Sequence, residues 1–174
     1  RKDLKDIPEF KIPKSFTIRN FHAGDEENWF RIYKAADHYN KIYSAMFKEY
    51  FGANEEKLSK RQFYICNAGG EEIATATSWY NNDYHGESLG RVHWVAVHPE
   101  YQGLGLSKTL ISSVLKRLAD LGHKKCYLRT LSVRTPAICL YLSFGFRPDI
   151  RTDEDREIWQ KIGQRLNHPE LTGL

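Results

Sequence analysis

Val95-Ala96-Val97-His98-Pro99-Glu100-Tyr101-Gln102-Gly103-Leu104-Gly105-Leu106-Ser107 is the stretch on which the fold turns. It leaves an apolar strand, Arg91 to Val97, breaks at His98-Pro99-Glu100, and passes through a glycine-containing loop into an amphipathic helix. From Leu106 onward Leu110, Ile111, Val114, Leu115, Leu118 and Leu121 recur at three- and four-residue steps, with Lys108, Ser112 and Lys116 on the opposite side and Gly122 as the stop. Glycines at 103 and 105 let backbone approach a ligand closely, and the unpaired N–H groups of the first helical turn point at it with the helix dipole behind them. Such a junction suits a pyrophosphate. The segment contains no G-x-G-x-x-G and no phosphate-loop lysine, and no βαβ unit stands near the N-terminus, which argues against dinucleotide-binding and P-loop folds.

Upstream, Arg1 to Ser15 reads as an irregular lead-in, and Phe16 to Phe21 as a strand of imperfect period two. Gly24-Asp25 predicts a turn and helix N-cap, followed by a helix bearing Trp29, Tyr33 and Ala36 on one face. A second helix is expected from near Ser44 with Phe47, Tyr50 and Phe51 as its stripe. Gln62 to Asn67 and Glu72 to Tyr80 form a hairpin about Gly69-Gly70, and Asn81 to Gly90 reads as a polar connection. Downstream, Lys125 to Leu131 predicts a strand, Thr135-Pro136 the cap and first position of a short helix ending at Gly145, and Asp153 to Gln164 a C-terminal helix. The reading is one domain over residues 1–174 without internal repeats.

A chain of 174 residues with 41% apolar and 13% aromatic residues can bury a core without disulfides or metal. The formal charge of +4 comes from 26 basic and 22 acidic residues mixed along the chain. That pattern predicts no nucleic-acid partner, while a mildly basic surface suits a polyanionic small molecule. Cys66, Cys126 and Cys139 have no zinc-type spacing and no apolar run is long enough for a membrane span, so a soluble, cytoplasmic, metal-free protein is expected. No leader is visible, and the opening at Arg1 is consistent with a segment trimmed upstream.

The stretch quoted above resembles motif A of the GNAT N-acetyltransferase superfamily, Q/R-x-x-G-x-G/A, with Gln102, Gly105 and Ser107 in its three places. Ala137-x-x-x-Tyr141-x-x-x-Gly145-Phe146 resembles motif B, with Arg134 where an Asn often stands. The resemblance implies an α/β (α+β) fold with a mixed, mostly antiparallel central sheet flanked by helices. Members typically finish with two further strands, whereas Arg147 to Leu174 here reads as mainly helical.

The implied activity is transfer of an acetyl group from acetyl-CoA, or another short acyl-CoA, to a primary amine of a small molecule or peptide, without a covalent enzyme intermediate. Two alternatives stay open: a protein lysine or N-terminal acetyltransferase, and a non-catalytic acyl-CoA-binding module. The resemblance assigns cofactor binding to Val95, Ala96 and Val97, to Gln102, Gly103, Leu104, Gly105, Leu106, Ser107 and Lys108, and to Ala137. Tyr141 is the expected general acid for the leaving thiolate. His93, placed by strand alternation on the side of Arg91, Val95 and Val97, is the candidate base, with Glu87 and Asp83 next. Trp29, Tyr33, Tyr39, Tyr43 and Tyr80 are candidates for an aromatic acceptor pocket, Cys126 and Cys139 are expected in the core or wall, and a homodimer is compatible with the sequence.

Overall fold

A computed structural model describes residues 2–174; Arg1 lies outside the described residues. Its centre is a six-stranded sheet in the order β1-β6-β5-β4-β3-β2, comprising β1 (Lys2–Asp3), β2 (Thr17–Asn20), β3 (Gln62–Cys66), β4 (Glu72–Tyr84), β5 (Glu87–Val97) and β6 (Lys125–Tyr127). All neighbours are antiparallel except β5 and β6, whose parallel pairing follows from the helical crossover between them.

The segment expected to be a polar connection, Asn81 to Gly90, is instead the outer half of a long hairpin. β4 runs to Tyr84, and His85-Gly86 makes the turn with both residues at positive φ, 53° and 81°. Two such residues match the twist of the flanking strands. The polar sequence reflects the exposure of this hairpin arm, where Asn82 and Asp83 face solvent. β6 is shorter than the expected Lys125 to Leu131, because its ladder with β5 ends at Gly90↔Cys126 and Arg91↔Tyr127. The lead-in is more ordered than its sequence implies. Lys2 and Asp3 pair with the outer edge of β6, Ser112 Oγ donates to the Pro8 carbonyl, and Phe10 packs 5.4 Å from the Phe144 ring. Ser112, expected on the solvent side of its helix, is buried beneath this strap.

Helix α1 (Asp25–Ala36), α2 (Met46–Phe51) and α3 (Glu55–Ser59) precede β3, and α4 (Leu106–Asp120) connects β5 to β6. α4 buries Leu110, Ile111, Val114, Leu115 and Leu118 against one sheet face. On the other face Trp29, Ile32, Phe47 and Phe51 of α1 and α2 pack with Phe21 and Tyr64. The short α3, five residues capped by Asn54 accepting from the Lys57 amide, is too brief to show a helical period in sequence. α5 (Thr135–Ser143) begins one residue earlier than expected, with Arg134 as its cap. The chain ends in α6 (Asp153–Leu166), opened by a Thr152/Asp155 capping box, and α7 (Pro169–Thr172), so the helical C-terminus expected from sequence is observed.

Asp25 is not the N-cap, a place taken by Gly24 at φ 92°. Its carboxylate accepts both Nη groups of Arg19 at 2.7 and 2.8 Å, the His22 amide at 2.6 Å and Asn28 Nδ2 at 3.0 Å, while Arg19 also reaches Glu72 at 2.5 Å. The start of α1 is thereby pinned to β2 and β4. Burial by itself would push the Asp25 carboxyl up, but the bonds from Arg19, His22 and Asn28 outweigh it and hold the group below the usual carboxylate range. A depressed folded pKa means that this stabilisation is present above the unfolded value near 3.8 and is lost as pH falls through the lower folded one. Asp25→Ala is expected to cost about 2–4 kcal/mol at neutral pH, since Arg19 loses its bidentate partner. Chemical denaturation at pH 7 and pH 3 checks this, the variant showing the smaller loss on acidification.

Candidate active site

The site is built where β5 stops behaving as a regular strand. Thr77 faces His93 and Thr75 faces Ala96, so the single residue Ala76 stands opposite both Trp94 and Val95. This bulge holds Trp94 at φ 48°. A non-glycine residue in that region costs about 1–3 kcal/mol. The indole recovers it by making edge contacts with Trp29, Tyr33 and Tyr50 at 5.1, 4.9 and 4.8 Å, each worth about 0.5–1.5 kcal/mol. The extra residue also shifts the side-chain alternation. His93 therefore shares a face with Ala96, toward α1 and α2, and not with Val95 and Val97 as simple alternation predicts.

Past Arg91 and Tyr127, β5 and the chain after β6 separate, and a cleft of about 780 Å³ opens between them. Val95, Ala137 and Tyr141 line it, as do Tyr33 and Tyr43 of the expected aromatic set. Trp29 is instead fully buried beneath Trp94, Tyr39 stacks under the Arg134 guanidinium outside the lining, and Tyr80 packs on Trp79. The Tyr33 hydroxyl is buried with no hydrogen-bond partner among the described residues. Sequence reading missed the cations Lys41, Arg91, Arg129 and Arg134 in this lining. Arg91 was the visible sign, a charge inside an otherwise apolar strand.

Tyr141 is half-buried on α5, its ring 6.0 Å from that of Phe146. Burial pushes its hydroxyl up to about 12, partly opposed by Arg134, so the group keeps its proton throughout the neutral range. His93, 6% exposed, sits against the rings of Phe51, Trp94 and Tyr50 at 5.6–5.9 Å. Burial, reinforced by the nearby Arg91 charge, drives its pKa down to about 2. Glu87 and Asp83 lie toward the hairpin end; Glu87 is 3.6 Å from Lys125 Nζ, and Asp83 accepts from the Gly86 amide. Neither lines the cleft. Cys66 and Cys126 are buried, whereas Cys139 is exposed on α5.

Beyond Val97, a turn over Pro99–Tyr101 leads to the glycine loop. Gln102 Nε2 donates to the Val97 carbonyl at 3.0 Å, so this side chain shapes the loop from within. Gly103 and Gly105 have φ of 81° and 80°, and a Cβ on either would meet nothing within 4 Å. Conformation is what demands glycine here, and open space remains above the loop. Gly105 caps α4 without a side-chain bond, and the amides of Leu106 and Ser107 have no acceptor among the described residues. Leu104 is exposed, and Lys108 projects over the Phe10 ring at 5.3 Å. Ala96 and Val97 are buried and do not line the cleft, and the Val97 carbonyl is occupied by Gln102.

Residues 27–146 match the model of the acetyltransferase (GNAT) family. The chain belongs to this family. It is 32% identical over 148 residues to a mycothiol acetyltransferase of Pseudarthrobacter chlorophenolicus, covering 81% of this chain and 45% of that protein. It is 31% identical over 144 residues to a mycothiol acetyltransferase of Streptomyces bingchenggensis, covering 81% and 46%. The chain thus spans about half the length of the curated relatives it matches. Among solved structures, the ribosomal-protein-S18-alanine N-acetyltransferase of Escherichia coli aligns with a TM-score of 0.64 at 24% identity, covering 78% of this chain and 79% of that one. A GCN5-related N-acetyltransferase of Sphaerobacter thermophilus aligns at 0.68 with 19% identity, covering 82% and 44%. These likenesses establish the GNAT fold, the mixed, mostly antiparallel sheet flanked by helices that motifs A and B implied.

The His93 environment sets a measurable state. With 15N-labelled imidazole, its NMR resonances are expected to stay those of the neutral ring from pH 8 to pH 4. Because the folded pKa lies below the unfolded 6.5, the unfolded chain binds the extra proton, and stability is lost as pH falls through 6.5. A ring titrating near neutrality would overturn the buried assignment.

Proposed function

We propose that the chain transfers an acetyl group from acetyl-CoA to a primary amine of a small molecule or peptide, by direct attack in a ternary complex. The observation that carries this reading is the layout of β5. Its C-terminal end leads into unpaired amides at Leu106 and Ser107, and its separation from the chain after β6 opens a cleft walled by Tyr141. A relative named mycothiol acetyltransferase, 32% identical, supports acetyl transfer as the chemistry.

The residues fit the cosubstrate. The Gly103 to Ser107 backbone would take the pyrophosphate, with Lys108 adding positive charge at its edge, and the unladdered edge of β5 at Val95 would take the pantetheine amides. When bound, acetyl-CoA supplies the activated thioester. Tyr141 holds its proton against loss to bulk water and stands ready to donate it to a departing thiolate. Ala137, one turn earlier on α5, keeps that wall thin enough for Tyr141 to be reached.

The base role expected of His93 does not suit an imidazole held neutral down to about pH 2, which cannot retain a proton taken from an ammonium group. Among the described residues no carboxylate lines the cleft to replace it. Deprotonation of the amine accordingly passes to water in the open cleft, and His93 serves as a neutral wall. The rate should rise with pH toward the pKa of the acceptor amine in wild type and His93→Ala alike.

Two substitutions test the assignment, with thiol release from acetyl-CoA followed over an amine panel. Tyr141→Phe is expected to lower kcat by about 10- to 10⁴-fold with cofactor affinity and melting temperature retained. A stability loss of about 1–3 kcal/mol with unchanged turnover per folded molecule would make the hydroxyl structural instead. Gly105→Val is expected to raise the Kd for CoA, because a β-branched residue cannot hold φ near 80° without strain. Unchanged affinity, measured by calorimetry, would remove the phosphate-loop assignment.

A further inference from the structure

The cleft carries an unbalanced charge. Lys41, Arg91, Arg129 and Arg134 line it, and among the described residues no Asp or Glu does. Arg134 is neutralised from behind by Asp37, whose two oxygens accept from its Nη2 at 2.8 and 2.7 Å. The other three have no carboxylate within ion-pair distance among the described residues.

Arg91 is the most constrained of them. It is half-buried, its Nε is enclosed without a hydrogen-bond partner, and its guanidinium lies 5.7 Å from the Tyr127 ring. Burial lowers its pKa, and the charged or titratable groups acting on it are Tyr127, Arg129, Tyr50 and Tyr84, with no acid among them. Asp149 and Asp155 line an adjoining hollow of about 260 Å³ that shares Leu128, Arg129, Thr130 and Tyr141 with the cleft. There Asp149 accepts from Tyr84 and Arg151, and Asp155 is engaged in the α6 capping box.

Two neighbouring guanidiniums, one of them partly desolvated, repel each other and are costly unless an anion joins them. The pyrophosphate is not that anion. Arg91 precedes Val97 by six positions, about 20 Å along a strand at ~3.3 Å per residue, and the glycine loop lies beyond Val97. The cations therefore belong to the acceptor end of the cleft. Guanidinium forks match the planar, two-oxygen geometry of a carboxylate or the face of a phosphate. A cleft of about 780 Å³ lies in the range of small-molecule sites.

We propose that the acceptor is a small amine bearing an oxyanion group, bound by Arg91 and Arg129 with Lys41 at the rim. This rests on the acetyl-transfer reading and adds the substrate class to it. Paired amines test it: an α-amino acid against its amide, and glucosamine 6-phosphate against glucosamine, each scored by thiol release and, independently of turnover, by calorimetric binding. The acidic member is expected to show a kcat/KM at least about 10-fold higher and tighter binding. Whichever pair shows the preference identifies carboxylate or phosphate as the recognised group.

Arg91→Gln and Arg129→Gln are expected to lower kcat/KM for the acidic member by about 10- to 100-fold and so erase the preference, with the KM for acetyl-CoA unmoved. Arg156→Gln, on the exposed side of α6, removes the same charge elsewhere and should leave the preference intact. Equal binding and turnover of both members of every pair would overturn the proposal, as would a loss of preference in Arg156→Gln. A preference for succinyl-CoA over acetyl-CoA without discrimination among amines would also overturn it, assigning the cations to the acyl group. Failure of acetyl-CoA to bind or turn over with any amine would overturn the acetyl-transfer reading instead, and the calorimetric comparison of the paired amines would still decide this one.

Discussion

The bulge at Trp94 is the constraint from which the site follows. A regular β5 would keep its ladder with β4 and alternate its side chains evenly toward Val97. With two residues opposite Ala76, the strand is turned at the level where β6 has already ended its pairing with β5. Backbone groups that a sheet would ordinarily consume are thereby left facing a cleft, which is what a ligand bound by main-chain hydrogen bonds requires. The aromatic packing of Trp94 against Trp29, Tyr33 and Tyr50 makes this geometry affordable, so the core between α1, α2 and the sheet is also the support of the site.

Two places along β5 attract negative charge for different physical reasons. At its C-terminal end the attraction comes from unpaired amides and the dipole of α4, which need no charged side chain and recognise phosphate through backbone. Around Arg91, in mid-strand, it comes from guanidiniums with no carboxylate in the cleft lining among the described residues. Between them stand neutral groups, His93 stripped of its basicity by burial and Tyr141 stripped of its acidity. A low-polarity stretch between two anion-attracting regions suits a reaction that begins with a neutral amine.

The terminal segments complete the sheet and cover its helix without lengthening the β ladder by much. Lys2 and Asp3 occupy the outer edge of β6, and the stretch after them straps α4 through Ser112 and Phe10. At the other end α6 and α7 pack through Gly163, where a Cβ would come within 2.8 Å of the Leu171 backbone. Their buried residues Ile162 and Leu171 join Ile138 of α5, the helix that carries Tyr141. The C-terminal helices therefore bear on the position of the proposed acid.

Much of the fold was legible because it is written in local periodicity. α4 announces itself by its apolar steps from Leu106 to Leu118, α6 by Thr152 and Asp155 around an amphipathic run, and the glycine loop by residues whose φ leaves few alternatives. The outer arm of the β4–β5 hairpin was not legible, since an exposed strand carries the polar residues of a loop. Nor was the strap over α4, whose bonds to Pro8 and Lys11 carbonyls span about a hundred positions. By itself the sequence determined the longer helices, the phosphate-type loop and the family, because each depends on residues adjacent in the chain. Only the tertiary structure decided which way His93 faces, that its imidazole is neutral, and that Arg91 and Arg129 share a cleft in which no described residue is an acid. A one-residue bulge reverses every side chain beyond it, and charge balance depends on neighbours brought together from distant elements.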